Sequence, residues 1–253
     1  MIRKLYEKSE LRFALTWIVA YCVLASIGDN LSNSIGILKI VTFPILLLLS
    51  LTMLVFVKKN RLYKQHGLCK SQISASKMLF YIPLVILLTA NFWYGLAVNT
   101  SPIETVLYIL SMICVGFLEE MIFRGFLFKA MLKNCAKSAI IVSSVTFGIG
   151  HFINLFNGSG AELLPNILQV ISAVAIGFAF AMIYYKTKSL IICIVTHGLF
   201  NAASAFSNKA AITTGKEIIS GILIAVIAAA YGLYIVLAVK DKEGKYEARY
   251  KIN

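Results

Sequence analysis

Ile103 to Leu127 reads IETVLYILSMICVGFLEEMIFRGFL. The stretch is long enough to cross a bilayer as one helix, which takes about 20 mostly apolar residues. Yet it carries Glu119, Glu120 and Arg124. A charge at the centre of a membrane helix costs about 2.5–3.5 kcal/mol on insertion scales, so intramembrane ionisable groups are usually functional or paired. A helix that is apolar along its length and holds two acids and an arginine defines both a fold class and a place to look for chemistry.

The rest of the chain supplies the membrane context. Of 253 residues, 59% are hydrophobic and 14% charged, with a mean hydropathy of +0.83. Soluble domains carry roughly 45–50% apolar and about 25% charged residues, so a water-soluble globular protein is excluded. Seven further segments approach span length, at roughly 11–28, 39–57, 78–98, 138–156, 165–185, 189–206 and 218–239. Four prolines and no Ser/Gly/Pro-rich or like-charge block leave no room for a linker, and no repeat of fixed period occurs. The expectation is an all-α polytopic bundle of about eight spans, forming a single integral-membrane domain over residues 1–253.

The net charge of +13 is a matter of placement. With the N-terminus in the cytoplasm, all of the 24 Lys and Arg residues except Lys39, Lys209 and Lys216 fall in inner segments, as the positive-inside rule requires. Both termini are then cytoplasmic. The basic residues act as orientation signals spread over five segments rather than as a nucleic-acid footprint. Arg3 and Lys4 ahead of an apolar stretch and Ala25-Ser26 suggest a signal peptide, but Trp17 and Tyr21 interrupt that stretch and more spans follow, which favours a retained helix. The five cysteines include no C-x-x-C pair and read as inert thiols. His66, in a Lys-rich inner loop, is expected to be solvated.

The polar residues inside spans are few and lie at similar depth. At about 1.5 Å per residue, Glu119 and Glu120 stand roughly 15 Å from Lys129, His151 roughly 21 Å from Lys137, and His197 roughly 14 Å from Lys188, with Asn201 one turn further. A bundle brings such positions together. Glu120 and Arg124 are i and i+4 and share a face, which suits a charge pair. Glu119 is rotated by about 100° and presents its carboxylate elsewhere. Phe147 lies one turn before His151 and packs under its ring. His197 and Asn201 share a face and offer two N–H donors toward one point, as an oxyanion stabiliser needs. Gly116, Gly125, Gly148, Gly150, Gly177 and Gly198 allow close helix approach.

Three short motifs stand in order on separate spans: Glu119-Glu120-Met121-Ile122-Phe123-Arg124 (EExxxR), Phe147-Gly148-Ile149-Gly150-His151 (FxxxH) and His197-Gly198-Leu199-Phe200-Asn201 (HxxxN). In this the chain resembles the CPBP family, also called the CAAX protease and bacteriocin-processing (Abi) family of intramembrane glutamic endopeptidases. The resemblance covers about residues 103–206. It implies that Glu119 with His151 activates a water, that His197 and Asn201 stabilise the oxyanion, and that Glu120, Arg124 and Phe147 support them. It also implies a membrane-associated protein or peptide substrate and no cofactor.

Three other readings compete. Two His and one Glu are also a zinc ligand set, but no H-E-x-x-H occurs and His197 is paired with an Asn, a poor zinc ligand; no metal is expected. A non-catalytic scaffold or bacteriocin self-immunity protein would use the same bundle for binding. A transporter would show broken helices or inverted repeats at the midplane, and the sequence suggests neither. The Ile-, Lys- and Asn-rich composition and short loops point to a bacterial plasma membrane.

The basic asymmetry generates a test. Reporters fused within residues 58–77 or 240–253 should register on the cytoplasmic side and one in the 157–164 loop, which has no Lys or Arg, on the outside. The opposite placement of either inner segment would overturn the eight-segment topology.

Overall fold

The computed structural model describes residues 2–156 and 162–239; the expected inner tail at 240–253 and most of the outer loop at 157–164 lie outside them. The chain begins with α1 (Ile2–Lys8), and Ser9 then caps α2 (Glu10–Ile35) by accepting from the Arg12 amide. Gly36, at φ 80°, ends α2 in the left-handed conformation that glycine adopts freely. After α3 (Thr42–Lys59) a loop leads to a helical stretch, Ala75–Phe92, whose regular α part is α4 (Ile82–Leu88). Ser101, Pro102 and Glu104 build a capping box that starts α5 (Pro102–Glu120). That helix runs on through a π-helical segment, Met121–Phe128, into α6 (Lys129–Leu132). The remaining helices are α7 (Ala136–Gly150), α8 (Leu163–Thr187), α9 (Ile191–Ala203) and α10 (Thr214–Ala238).

Each of the eight expected segments contains helix, and the molecule is an all-α bundle whose β structure among the described residues is one isolated bridge, Leu96 to Ser207. Seven stretches are long and apolar enough to cross a membrane, while the segment around α9, Ile191–Phe206, is shorter. Large apolar side chains such as Leu48, Val55 and Leu237 remain exposed along the helices, as expected of surfaces that face lipid. The most extensive helix contacts join α8 to α10, α5 to α9 and α7 to α8. Two of these rest on glycine. A Cβ at Gly116 would stand 2.4 Å from the Gly198 nitrogen, and one at Gly148 would stand 2.9 Å from the Val174 nitrogen. Backbone lies against backbone at both crossings, which only small residues permit.

The structure departs from the sequence reading at three points. The third segment is no continuous helix over 78–98: Leu79, Phe80 and Tyr81 take left-handed dihedrals (φ 51°, 50° and 58°), and α4 begins at Ile82 with Pro83 in its first turn, where a missing N–H is harmless. Tyr231 and Tyr234 of α10 donate their hydroxyls to the carbonyls of Met78 (2.8 Å) and Lys77 (3.2 Å) at this break. Arg124, counted by sequence among the inner basic residues, is 0% exposed and belongs to the core.

His66 is the third correction. It is buried rather than solvated, because the 60–74 loop folds back against the bundle and sets the ring edge-on to Phe126 (4.8 Å between centroids). The Gly125 carbonyl accepts from Nδ1 at 2.7 Å, and Tyr6 donates its hydroxyl to Nε2 at 2.9 Å. Burial pushes this imidazole down to about 4, against partial support from the Gly125 carbonyl and Glu10 and with Lys129 and Lys133 opposing its charge. A folded-state value below the unfolded one means that the stabilisation is complete above about pH 6.5. It is lost as pH falls from there toward about 4. Thermal melts of the protein in detergent should therefore show a fall in Tm between pH 7 and 5 that is flattened in His66→Gln. Equal slopes in the two proteins would contradict this account.

Candidate active site

The site grows from the end of α5. Glu120 and Arg124 are both 0% exposed, and Arg124 Nη1 donates to Glu120 Oε1 at 2.9 Å. The i,i+4 spacing holds across the junction with the π-helical segment, so the sequence-predicted pair is present. The guanidinium lies over the Phe147 ring, 4.2 Å from its centroid, in cation–π geometry. Gly177 of α8 leaves it room, since a Cβ there would come within 3.0 Å of Nη2.

His197 joins this pair. The same Glu120 Oε1 accepts from His197 Nδ1 at 2.9 Å, so one carboxylate oxygen serves an arginine and an imidazole. The crossing of Gly116 and Gly198 brings α9 close enough for that bond. With Nδ1 engaged, His197 turns Nε2 toward Glu119, whose Oε2 stands 3.5 Å away. The other oxygen of Glu119 accepts from the Tyr21 hydroxyl at 2.6 Å. Glu119 thus faces a different surface from Glu120, as the helix angle predicts, while the imidazole of His197 lies between the two acids.

His151 stands on the other side of Phe147. It is the first residue beyond α7, and its Nδ1 donates to the Phe147 carbonyl at 3.1 Å. Its own carbonyl accepts from Asn166 Nδ2 at 2.9 Å. In the neutral ring this leaves Nε2 as an acceptor. The Phe147 ring meets both imidazoles edge-on, with centroids 5.1 Å from His151 and 5.6 Å from His197.

His151, His197, Asn201 and Phe147 line one cavity of about 230 Å³ between α7, α8, α9 and α10. Its wall is mainly apolar, with Phe180, Leu168 and Ile224, and carries Gln169, Ser172 and Glu217 as further polar groups. Glu119 does not line this cavity; it reaches the site through His197. Among the described residues no hydrogen bond joins Glu119 directly to His151, and no group of three or more His, Cys, Asp and Glu side chains is placed to hold a metal ion.

Sequence reasoning missed Tyr21, Asn166 and Gly177's particular task. Tyr21 was within reach of it, because nine residues from Arg12 place its hydroxyl about 14 Å deep, level with His197. Asn166 gave no such signal, since its partner is a backbone carbonyl at a helix end.

The buried pair has a measurable signature. Removing one member of a buried ion pair costs roughly 3–5 kcal/mol, so Glu120→Ala and Arg124→Ala should each reduce the folded yield. Replacing both by apolar residues should restore yield in part and activity not at all, because His197 loses the acceptor that orients it. Wild-type yield from both single variants would show that the pair is not a structural element.

Residues 101–203 match the family model described as type II CAAX prenyl endopeptidase, Rce1-like. No curated protein and no solved structure matches the chain significantly. The matched segment runs from the cap of α5 to the end of α9 and contains all three motifs. Over that segment, less than half of its length, the chain is similar to the Rce1-like CAAX prenyl endopeptidases.

Proposed function

We propose that the protein is an intramembrane endopeptidase of glutamic type, acting on a peptide bond of a membrane-associated protein or peptide. The family supports a membrane peptide hydrolase in general. The observation that carries the finer reading is His197, bonded through Nδ1 to Glu120, facing Glu119 through Nε2, and lining the same cavity as His151 and Asn201.

In this reading Glu119 takes a proton from a water as its oxygen attacks the scissile carbonyl. His151, whose Nδ1 is occupied by a backbone carbonyl, offers Nε2 as a second acceptor to that water. The C–O bond forms, the carbonyl electrons move to its oxygen, and the resulting oxyanion accepts from His197 Nε2 and from the Asn201 amide. Donation from Nε2 while Nδ1 donates to Glu120 requires His197 to carry both protons, with Glu119 and Glu120 at its two nitrogens. Collapse of the intermediate breaks the C–N bond, and Glu119 returns its proton to the leaving amine. Glu120, Arg124 and Phe147 hold the imidazoles in place and touch no reacting atom.

The bacterial plasma membrane suggested by composition makes peptide pheromones, bacteriocins or their leaders the substrate class to examine. Comparing the membrane peptides of cells with wild type and Glu119→Ala should reveal one uncleaved precursor that accumulates. In purified protein, Glu119→Gln and His151→Ala should abolish its cleavage with folding intact. Asn201→Ala should leave a rate about 10²–10³ lower, the loss typical of one oxyanion donor. Chelators should have no effect. Full activity of Glu119→Gln, or full biological effect of a stably inserted Glu119→Ala, would overturn the enzyme reading in favour of a binding role.

A further inference from the structure

We propose that Tyr21 is a positioning residue for the general base: its hydroxyl holds one oxygen of Glu119 and leaves the other free for the reaction. The inference rests on the reading of Glu119 as the base and extends it to a helix outside the matched 101–203 segment.

The Tyr21 hydroxyl stands 2.6 Å from Glu119 Oε1, within the 2.5–2.7 Å typical of an O–H donor to an ionised carboxylate. Tyr21 lies on the inward face of α2 with Phe13, Ala14 and Trp17, all of them buried. A phenol in such surroundings needs a hydrogen-bond partner, and here that partner is the carboxylate. Once Oε1 is engaged, the side chain is fixed at its far end. Oε2 then faces His197 Nε2 at 3.5 Å, buried and with no hydrogen bond from the protein among the described residues. Tyr21 therefore determines which oxygen receives the proton of a water, and from which side.

The α2 helix packs along the π-helical segment that follows Glu120, so the position of the phenol is tied to that of the base. A residue that only filled space would need the ring but not the oxygen.

The test separates these roles in full-length protein in lipid nanodiscs, with the accumulated precursor as substrate. In Tyr21→Phe, kcat should fall about tenfold with KM unchanged, the mark of a group that acts on the chemical step rather than on binding. Replacing Tyr21 by 4-aminophenylalanine, which keeps a donor at the same place on the ring, should hold kcat within a few-fold of wild type and serves where the Phe variant does not fold. A wild-type kcat in Tyr21→Phe, or an aminophenylalanine protein as slow as the Phe variant, with an inactive Glu119→Gln would overturn the role of Tyr21 alone. Full activity of Glu119→Gln would overturn the base assignment, and the positioning role with it.

Discussion

The constraint on which the rest of the structure depends is the burial of Glu120 and Arg124 without access to water. Neither charge is tolerable alone in such a place. Their burial therefore requires that this face of α5 and its continuation point into the bundle, where the 2.9 Å contact pairs the two charges. The residue before the pair and the helices around it follow. Glu119 is turned toward α2, Arg124 is laid over Phe147, and Glu120 Oε1 is aimed at His197. The proposed base, Glu119, is next in sequence to a structural ion pair that fixes the frame in which it would work.

Phe147 is the mechanical centre of that frame. One ring carries the guanidinium of Arg124 on its face and meets Phe123, His151 and His197 edge-on. Edge-to-face contacts are worth about 0.5–1.5 kcal/mol each beyond area burial, and their larger effect here is on rotamers. Both imidazoles also have Nδ1 committed, one to a carbonyl and one to a carboxylate. Rings fixed at the edge and at one nitrogen have a single way to present the other nitrogen. The close crossings at Gly116 and Gly148 supply what aromatic packing cannot, by bringing the helices near enough for these bonds to form at all.

Much of this was legible in the sequence, and the reasons are specific. Charge in an apolar span is so unfavourable that Glu119, Glu120, Arg124, His151, His197 and Asn201 stand out without any alignment, and the i,i+4 rule identifies the pair. Helical period also separates the two glutamates correctly, since that part of α5 is regular. What the sequence hid was long-range. Tyr21 looks like an ordinary aromatic of an apolar helix until α2 is docked 98 residues away in sequence from the end of α5. His66 looks solvated because its neighbours in sequence are lysines, whereas its neighbours in space are Phe126, Tyr6 and the Gly125 carbonyl. The break at Leu79–Tyr81 is stabilised by hydroxyls from α10 that no local pattern reveals.

Under the proposed mechanism, the charges of the site make hydrolysis compatible with so dry a place. Glu119, Glu120 and Arg124 leave one negative charge uncompensated when all are ionised, and a doubly protonated His197 between the two acids brings the sum to zero. Under the proposed mechanism Glu119 becomes neutral as it takes the proton of the water, and the negative charge it gives up appears on the oxyanion next to His197 and Asn201. The sum does not change along the reaction. Charge moves from one neighbour of His197 to another over a short distance, and no ion must enter or leave a low-dielectric interior, where an unbalanced charge would be most unfavourable. Tyr21 would belong to the same balance, because its hydroxyl donates to Glu119, the negative end of that proposed displacement.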